Sequence, residues 1–508
     1  MSFRDSNVVI IETGRTTVRA GLGLHDLIKT PSVETLARVG LRRNASGEHL
    51  NKSQQPIAPG KDVLRKTIGN SSRVSTLPQH SELNASVNDY LVGSALDEAI
   101  AAGQDVSISW PFADGDVRDW TQAEAIWKYL LFNQLQRRRV QNESPVILSI
   151  FPGLSRSTYE RICQIFFERF NSAGLAIIER PVVQMYAANS LNGVVVDIDE
   201  EKTDITPISD GTTLHHPRTT IPIGIRDCQN YLAHLLKSNQ SVVSTLSPPE
   251  NPMDPETLHS TLVEFVKQLC YEGHVKIPSD GETAVVEDDG VTDIAAIVMA
   301  GKEKAVIESG MKKKANAKAS AAEQARAREI EALDLLTVQF REHSLTVGKE
   351  RHRLCEPLFN PRLLNGVPGS SSPMLNASPR LPLQEAVAIA VGQTDVDLRQ
   401  SLWAGLFVTG NLTRHVKGIG IALQSRVAPF VVTPELQTEV QPRYVRVLNL
   451  PEYYPEYRDT GNGLACFLGS SITAKIIFND SGGRNYVSKA DYSARGPHSI
   501  IEMSPALL

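Results

Sequence analysis

The chain has 508 residues, 41 % of them hydrophobic and 21 % charged, an ordinary globular composition that excludes a fibrous or wholly disordered polymer. At roughly 150 residues per domain, this length predicts about three domains. With 52 Lys+Arg against 57 Asp+Glu the formal net charge is −5, too little to draw the whole surface to nucleic acid or a membrane. Cys163, Cys228, Cys270, Cys355 and Cys466 are scattered and form no CxxC pair, which argues against a disulfide framework and against a zinc site. The opening Met-Ser-Phe-Arg-Asp is charged where a signal peptide needs an apolar core. No stretch approaches the roughly 20 apolar residues that span a bilayer. A reduced, soluble, intracellular protein is expected.

Residues 8–11 read as a buried strand, interrupted at Glu12-Thr13-Gly14 and resumed over 17–21: strand, tight turn, strand. Residues 44–88 are rich in Asn, Ser, Gln, Pro and Gly without a sustained period, the pattern of loop or disorder. The stretch 121–135 carries Ala125, Ile126, Tyr129, Leu130 and Leu131 at helical spacing. A buried strand follows over 144–151, and 157–173 reads as an amphipathic helix with Ile162, Ile165, Phe166 and Phe170 inward. Residues 193–197 form a second strand ending in an acidic turn, from which 203–208 returns. His215-His216 lies in a Pro-flanked turn and reads as an exposed loop.

Beyond that turn, 237–258, 279–293, 366–384 and 451–462 read as irregular. The second of these holds Asp280, Glu282, Glu287, Asp288, Asp289 and Asp293 with no base, and the last holds Tyr453, Tyr454, Pro455 and Tyr457. Residues 300–335, rich in Ala, Lys, Glu and Arg, predict a solvated helix. Its basic residues Lys312, Lys313, Lys314, Lys318, Arg326 and Arg328 either stay solvated or meet DNA or an acidic partner. The sequence holds no GxxxxGK[ST] loop, no HExxH and no GxSxG elbow.

Several motifs, collinear over nearly the whole chain, resemble the actin family. Ile-Ile-Glu-Thr-Gly-Arg-Thr-Thr-Val-Arg-Ala-Gly at 10–21 is similar to its first phosphate-binding hairpin, and 194–208 to its second. Trp110-Pro111-Phe112, the run 120–135, Pro145 to Leu148, Phe-Phe-Glu-Arg-Phe-Asn at 166–171 and Tyr186-Ala187 follow in the family's order. Leu-Thr-Val-Gly-Lys-Glu-Arg at 345–351, with Pro-Leu-Phe-Asn-Pro at 357–361, is nearly verbatim. Asp395 to Arg399, Val408 to Asn411, Gly469 to Ser471, Val487 to Lys489 and Gly496-Pro497 complete the set. The resemblance implies an α/β actin-like fold, two RNase H-like lobes around a central cleft, with large surface insertions. On that plan the three domains suggested by length become one two-lobed core. Subdomain 1 is expected over 1–35, 89–187 and 465–508. A degenerate, largely disordered subdomain 2 is expected over 36–88. Subdomain 3 takes 188–223 and 381–464, and subdomain 4 takes 224–380, with the acidic loop and the Ala/Lys-rich helix.

The same resemblance places a vestigial nucleotide site at Glu12, Gly14, Arg15, Arg19, Asp197, Thr203 and Gly410. Such sites clamp phosphates with backbone N–H groups of two hairpins and need glycines where a side chain would fill the phosphate's space. The first hairpin reads Glu12-Thr13-Gly14-Arg15-Thr16, with one glycine of the family's two. The second reads Asp197-Ile198-Asp199-Glu200-Glu201, and both its glycines have become carboxylates. One carboxylate about 4 Å from a phosphate costs on the order of 4 kcal/mol at an effective dielectric near 20, about a thousandfold in affinity. Arg15 is either a phosphate ligand or the ionic partner of Glu12 or of 199–201. The family's water-orienting Gln falls on Arg180 and its His on Asp204. The adenosine-contacting positions fall on Val263, Val266 and Lys267, and Asn411 takes the place of a glycine. A lone Asp197 holds Mg²⁺ weakly. ATP hydrolysis is expected to be lost, nucleotide binding to be weak or absent, and no metal, catalytic residue or other cofactor is assigned.

Function then falls to the surface. The family's groove for partner helices maps to Tyr186, Ala187, Thr473 and Ile476; the alternative for Tyr186 and Ile476 is core packing. The opening sequence is most similar to actin-related proteins of nuclear chromatin remodellers. The implied partners are the helical segment preceding the remodeller's ATPase motor and a second actin-related protein as heterodimer, with chromatin reached indirectly and no membrane. The alternatives are an active ATPase of the actin fold and a filament-forming cytoskeletal actin.

Overall fold

A computed structural model describes residues 8–23, 30–43, 85–141, 143–278, 334–370, 380–431, 444–479 and 485–504. The acidic stretch 279–293, the basic residues from Lys312 to Arg328, nearly all of 44–88 and the middle of 366–384 lie outside them. The chain divides into two compact units, Met1–Arg180 with Ser470–Leu508, and Pro181–Gly469.

The first unit carries β1 (Val8–Thr13), β2 (Thr17–Gly23), β3 (Val33–Leu36), β4 (Val39–Arg42), β5 (Tyr90–Val92), β6 (Val106–Ser109), β7 (Val146–Ile150) and β8 (Gly174–Glu179). The apolar, β-branched runs foreseen as strands become β1, β2 and β7 because that composition suits a pleated, buried surface. The main sheet runs Val487–Ser488, β8, β7, β1, β2, β3. Within it β1 pairs antiparallel with β2 and parallel with β7. Helix α1 (Ser94–Ala101) packs on β5 of a second, three-stranded sheet β5, β4, β6, while α2 (Trp120–Lys128) and α3 (Arg156–Gln164) share the core of the main sheet and continue as π-turns over Tyr129–Gln134 and Ile165–Arg169. Val9, Ile11, Trp127, Ile162, Phe166 and Phe170 meet in its core, each worth roughly 1.5–3 kcal/mol when fully buried. Part of the stretch expected to be degenerate is a strand: β4 pairs with β5 and β6 and buries Val39 and Leu41.

The second unit opens with α4 (Arg180–Ala187), which begins on the last residue of the first. It then forms β9 (Gly193–Ile198), β10 (Thr203–Ser209), β11 (Thr212–Thr213) and β12 (Thr219–Ile221), followed by α5 (Ile225–Leu236), α6 (Gln240–Leu246) and α7 (Pro255–Tyr271). A hairpin, β13 (Leu336–Phe340) and β14 (His343–Val347), precedes α8 (Leu383–Gly392), α9 (Val396–Trp403), β15 (Leu406–Thr409), α10 (Ile419–Val431) and β16 (Val447–Leu448); α11 (Ala465–Asn479) starts in this unit and from Ser470 belongs to the first. The sheet of the second unit runs β11, β10, β9, β15, β16. Here β9 pairs antiparallel with β10 and parallel with β15, the plan already seen around β1. A separate core gathers Val194, Val196, Phe265, Val387 and Leu423.

The irregular reading of 237–258 is corrected: α6 occupies part of it and α7 starts in it. Asn239 and Asp254 cap these helices, accepting from the N–H of Val242, and of Glu256 and Thr257, and Pro255 fits the first helical turn. The Ser/Pro content masked two capping signals. The turn expected over 451–462 holds a short 3₁₀ segment, Pro455–Thr460, with Tyr457 buried and Tyr453 exposed.

Candidate functional site

The first hairpin is organised around a ladder of charges. The β1–β2 register sets Glu12 directly opposite Arg19, and the β2–β3 register sets Arg19 directly opposite Glu34. Arg19 Nη1 donates to Glu12 Oε1 at 3.0 Å, while its Nε and Nη2 donate to Glu34 Oε1 at 3.1 and 3.0 Å. Burial lowers the Arg19 pKa, but Glu12 and Glu34 outweigh it and the net shift is upward. Arg180, at the start of α4, adds a second cation: its Nη1 donates to the same Glu12 Oε1 at 2.9 Å. Glu12 is 1 % exposed, and its Oε2 has no hydrogen-bond partner among the described residues.

The turn between the strands is closed on itself. The Gly14 N–H donates to Thr17 O at 3.0 Å, and a Cβ on Gly14 would stand 3.2 Å from Arg180 Nη1. The guanidinium of Arg15 lies over the Phe151 ring, 5.6 Å from its centroid. Thus the carboxylate of Glu12 is shared by Arg19 and Arg180, and Arg180 holds a salt bridge.

The second hairpin is closed differently. Asp199 Oδ1 accepts the backbone N–H of Glu200 at 2.9 Å, and the Asp199 N–H donates to Lys202 O at 3.0 Å. The carbonyls of Asp199 and Glu200 accept the N–H groups of Ile225 and Arg226 at 3.0 and 2.9 Å. The first turn of α5, a natural anion-binding end, is thereby spent on the hairpin. Gly224 makes this approach possible: any Cβ there would sit 2.5 Å from Asp199 O and Glu200 O. Arg226 Nη1 reaches Glu201 Oε1 at 2.6 Å. Burial, and then the charge of Asp199, push the Glu200 carboxyl above its ordinary range.

The remaining expected residues of this half are built into the sheet. Thr203 is buried and donates from Oγ1 to Ile223 O at 2.8 Å. Gly410 has φ +103°, and a Cβ on it would lie 2.2 Å from Ile198 O, so its glycine serves the β9–β15 join. Asp197 stands opposite Asp204 across the hairpin. Asp197 Oδ2 accepts from Gln184 Nε2 at 2.8 Å, and Asp204 Oδ1 accepts from Thr220 Oγ1 at 2.6 Å. Val266 is fully buried and Val263 packs against the same core, whereas Lys267 is exposed. Among the described residues no group of three or more His, Cys, Asp and Glu is placed to hold a metal ion, and no helix is long and apolar enough to cross a membrane.

The four expected partner contacts divide between the units: Tyr186 and Ala187 belong to the second, Thr473 and Ile476 to the first. Ile476 is 65 % exposed, but Ala187 and Thr473 are buried. Ala187 is covered at the end of α4, and Thr473 lies on α11, which is apolar on most faces and sinks most of its length. Tyr186 is half-buried and donates from Oη to Gly211 O at 3.5 Å.

Glu34 on β3, Gln184 on α4 and Gly224 before α5 support these hairpins, and sequence reasoning missed them.

Residues 3–503 match the family model described as Actin. The chain is 26 % identical to the "SWI/SNF and RSC complexes subunit arp9" of Schizosaccharomyces pombe, over 98 % of this chain and 99 % of that protein. It is 21 % identical to "Actin-related protein 2" of Saccharomyces cerevisiae, over 91 % of this chain and 95 % of that protein. It is 23 % identical to "Actin-related protein 2" of Schizosaccharomyces pombe, over 83 % and 88 %. Two sheets built on one plan and a match that runs nearly from end to end make this chain a member of the actin family.

Proposed function

We propose that this protein is a non-catalytic, actin-related scaffold subunit of a nuclear chromatin-remodelling complex. It binds the helical segment of the remodeller ATPase together with a second actin-related protein, and reaches chromatin only through them. The observation that carries the loss of catalysis is the second hairpin. Its turn N–H of Glu200 bonds the carboxylate of Asp199, its carbonyls bond the first turn of α5, and three carboxylates crowd the turn. A phosphate arriving there meets anions, at a cost on the order of 4 kcal/mol for each one about 4 Å away. Arg180, bonded to Glu12, does not orient water as a neutral amide does. The similarity to a relative named as a subunit of SWI/SNF and RSC complexes supports the setting.

The test is a pair of measurements on the purified full chain. Co-expression with the helical segment of a remodeller ATPase should give a complex that survives gel filtration without nucleotide. A titration with Mg·ATP should show neither saturable binding nor phosphate release. Failure to bind such a helix, together with turnover of ATP, would reject the scaffold reading in favour of an active ATPase.

A further inference from the structure

The segment 451–462 of the second unit carries a surface feature that no part of the proposed function uses. It repeats Pro-Glu-Tyr, at 451–453 and again at 455–457, with Tyr454 between the copies. The two copies part in space: Tyr457 is 2 % exposed and anchors the segment, whereas Tyr453 is 64 % exposed. The three rings form a ladder from interior to solvent. The Tyr453 and Tyr454 centroids stand 4.6 Å apart at 52°, and those of Tyr454 and Tyr457 6.5 Å apart at 74°. Both are favourable aromatic separations, so the outer ring rests on an ordered stack.

The backbone beneath the rings is tied down. The Tyr454 N–H donates to Pro451 O at 3.2 Å, the Tyr457 N–H to Tyr454 O at 3.1 Å, and Arg458 Nε to Glu452 O at 3.0 Å. Asn462 fastens the end of the segment to β15: its Nδ2 donates to Val408 O at 2.9 Å, and its carbonyl accepts from Thr409 Oγ1 at 2.7 Å. An aromatic face held this way loses little conformational freedom when a partner lands on it.

The charges beside the ladder are mostly acidic. Glu452 precedes the outer ring, and Glu456 and Asp459, spaced i, i+3 on the 3₁₀ turn Pro455–Thr460, share one face. All three are exposed, and among the described residues none of their carboxylates takes part in a hydrogen bond or an ion pair. Arg458 is the one base in 451–460, so the segment holds an excess of two negative charges. Among the described residues the guanidinium–ring stacks use Phe151, Phe340 and Phe359, and none covers Tyr453 or Tyr454.

We propose that this tyrosine ladder docks an arginine-bearing segment of a partner protein, with the guanidinium stacked on the exposed ring of Tyr453 and the carboxylates of Glu452 and Glu456 beside it. Two independent features select the same chemistry. The π face of a tyrosine attracts a cation, and the carboxylates draw basic segments while repelling polyanions such as nucleic acid. Arginine suits the site better than lysine, because its planar, weakly hydrated guanidinium lies flat on a ring while its fork still meets a carboxylate.

The probe is a fluorescein-labelled peptide of alternating arginine and glycine, titrated against the full chain and read by anisotropy. Saturable binding that weakens with added salt is expected. Tyr453→Ala should lose about fivefold in affinity, and Tyr453→Phe, which keeps the ring, should bind like the parent. The position is exposed, and unchanged circular dichroism spectra certify both variants. Glu452→Gln combined with Glu456→Gln should weaken binding and flatten its salt dependence. A peptide with lysine for arginine should bind about threefold more weakly. Undiminished affinity in a folded Tyr453→Ala chain, or no saturable binding up to about 1 mM, would overturn the site. A loss in Tyr453→Phe equal to that in Tyr453→Ala would overturn ring stacking as its basis. Unchanged affinity after both glutamate substitutions would overturn the charge selection, and equal binding by the lysine peptide the preference for arginine.

Discussion

Glu12 is a buried acid held by two cations. Buried between Arg19 and Arg180, it is the anion that makes two interior cations tolerable. Glu12→Gln removes a charge that both guanidiniums share, and breaking a buried pair in this way costs about 3–5 kcal/mol. A urea-unfolding midpoint far below that of the parent chain is the expected outcome. Glu34→Gln, whose carboxylate is 36 % exposed, should cost less than about 1 kcal/mol in the same measurement; equal losses would contradict the burial argument. Glu200 gives the opposite sign. Its folded pKa is raised above the ordinary 4.5 by burial and by Asp199, so its ionised form opposes folding. The stability it permits is present below pH 4.5 and is lost as pH rises through the folded value. Glu200→Gln should therefore stabilise the protein at pH 7, and the gain should shrink toward zero as pH falls below the ordinary carboxylate range. A gain that grows on acidification would reject the assignment.

At the scale of elements, the joint between the second hairpin and α5 is the piece of architecture that a single atom tests. Gly224→Ala places a Cβ 2.5 Å from two backbone carbonyls, which cannot move as a flexible side chain would. A loss of about 1–3 kcal/mol is expected, with faster hydrogen exchange at the Ile225 and Arg226 amides that bond the hairpin. The strands of both hairpins were legible in the sequence because their apolar runs alternate with turn residues at the period of a strand. The Glu12–Arg19 pairing could be counted from the turn. The roles of Arg180 and Gly224 were not legible. Arg180 lies 168 residues from Glu12, and nothing in its local sequence says which hairpin its helix start will face. The near-verbatim motif at 345–351 was readable as a signature, but its work was not. Glu350 accepts from the Gly348 N–H and from Asn239, and Arg351 ties His274, Asp334 and Gly348 together. It is a structural clasp.

For the molecule as a whole, ligand linkage gives the most direct check on the nucleotide reading. A ligand that binds only the folded chain stabilises it by about 2.7 kcal/mol when present at a hundred times its Kd. Mg·ATP at about 1 mM should leave the thermal midpoint unmoved, because each carboxylate near a phosphate weakens binding by about a thousandfold. A rise of several degrees would show that the hairpins still grip a nucleotide. The two units carry separate cores, so the three domains expected from length alone give way to two compact units. The insertions that inflate the length do not add a third among the described residues.

The sequence by itself determined the family, the strands of the two hairpins, and the run of carboxylates Asp199, Glu200 and Glu201, because each of these is written in contiguous residues. Only the tertiary structure decided what the altered residues do instead. Arg180 neutralises Glu12, α5 spends its first turn on the hairpin, and Thr473 and Ala187 sink while Ile476 stays in solvent. Burial and ion pairing are set by strand order and by packing between distant segments, and local periodicity carries no record of which distant segment will arrive.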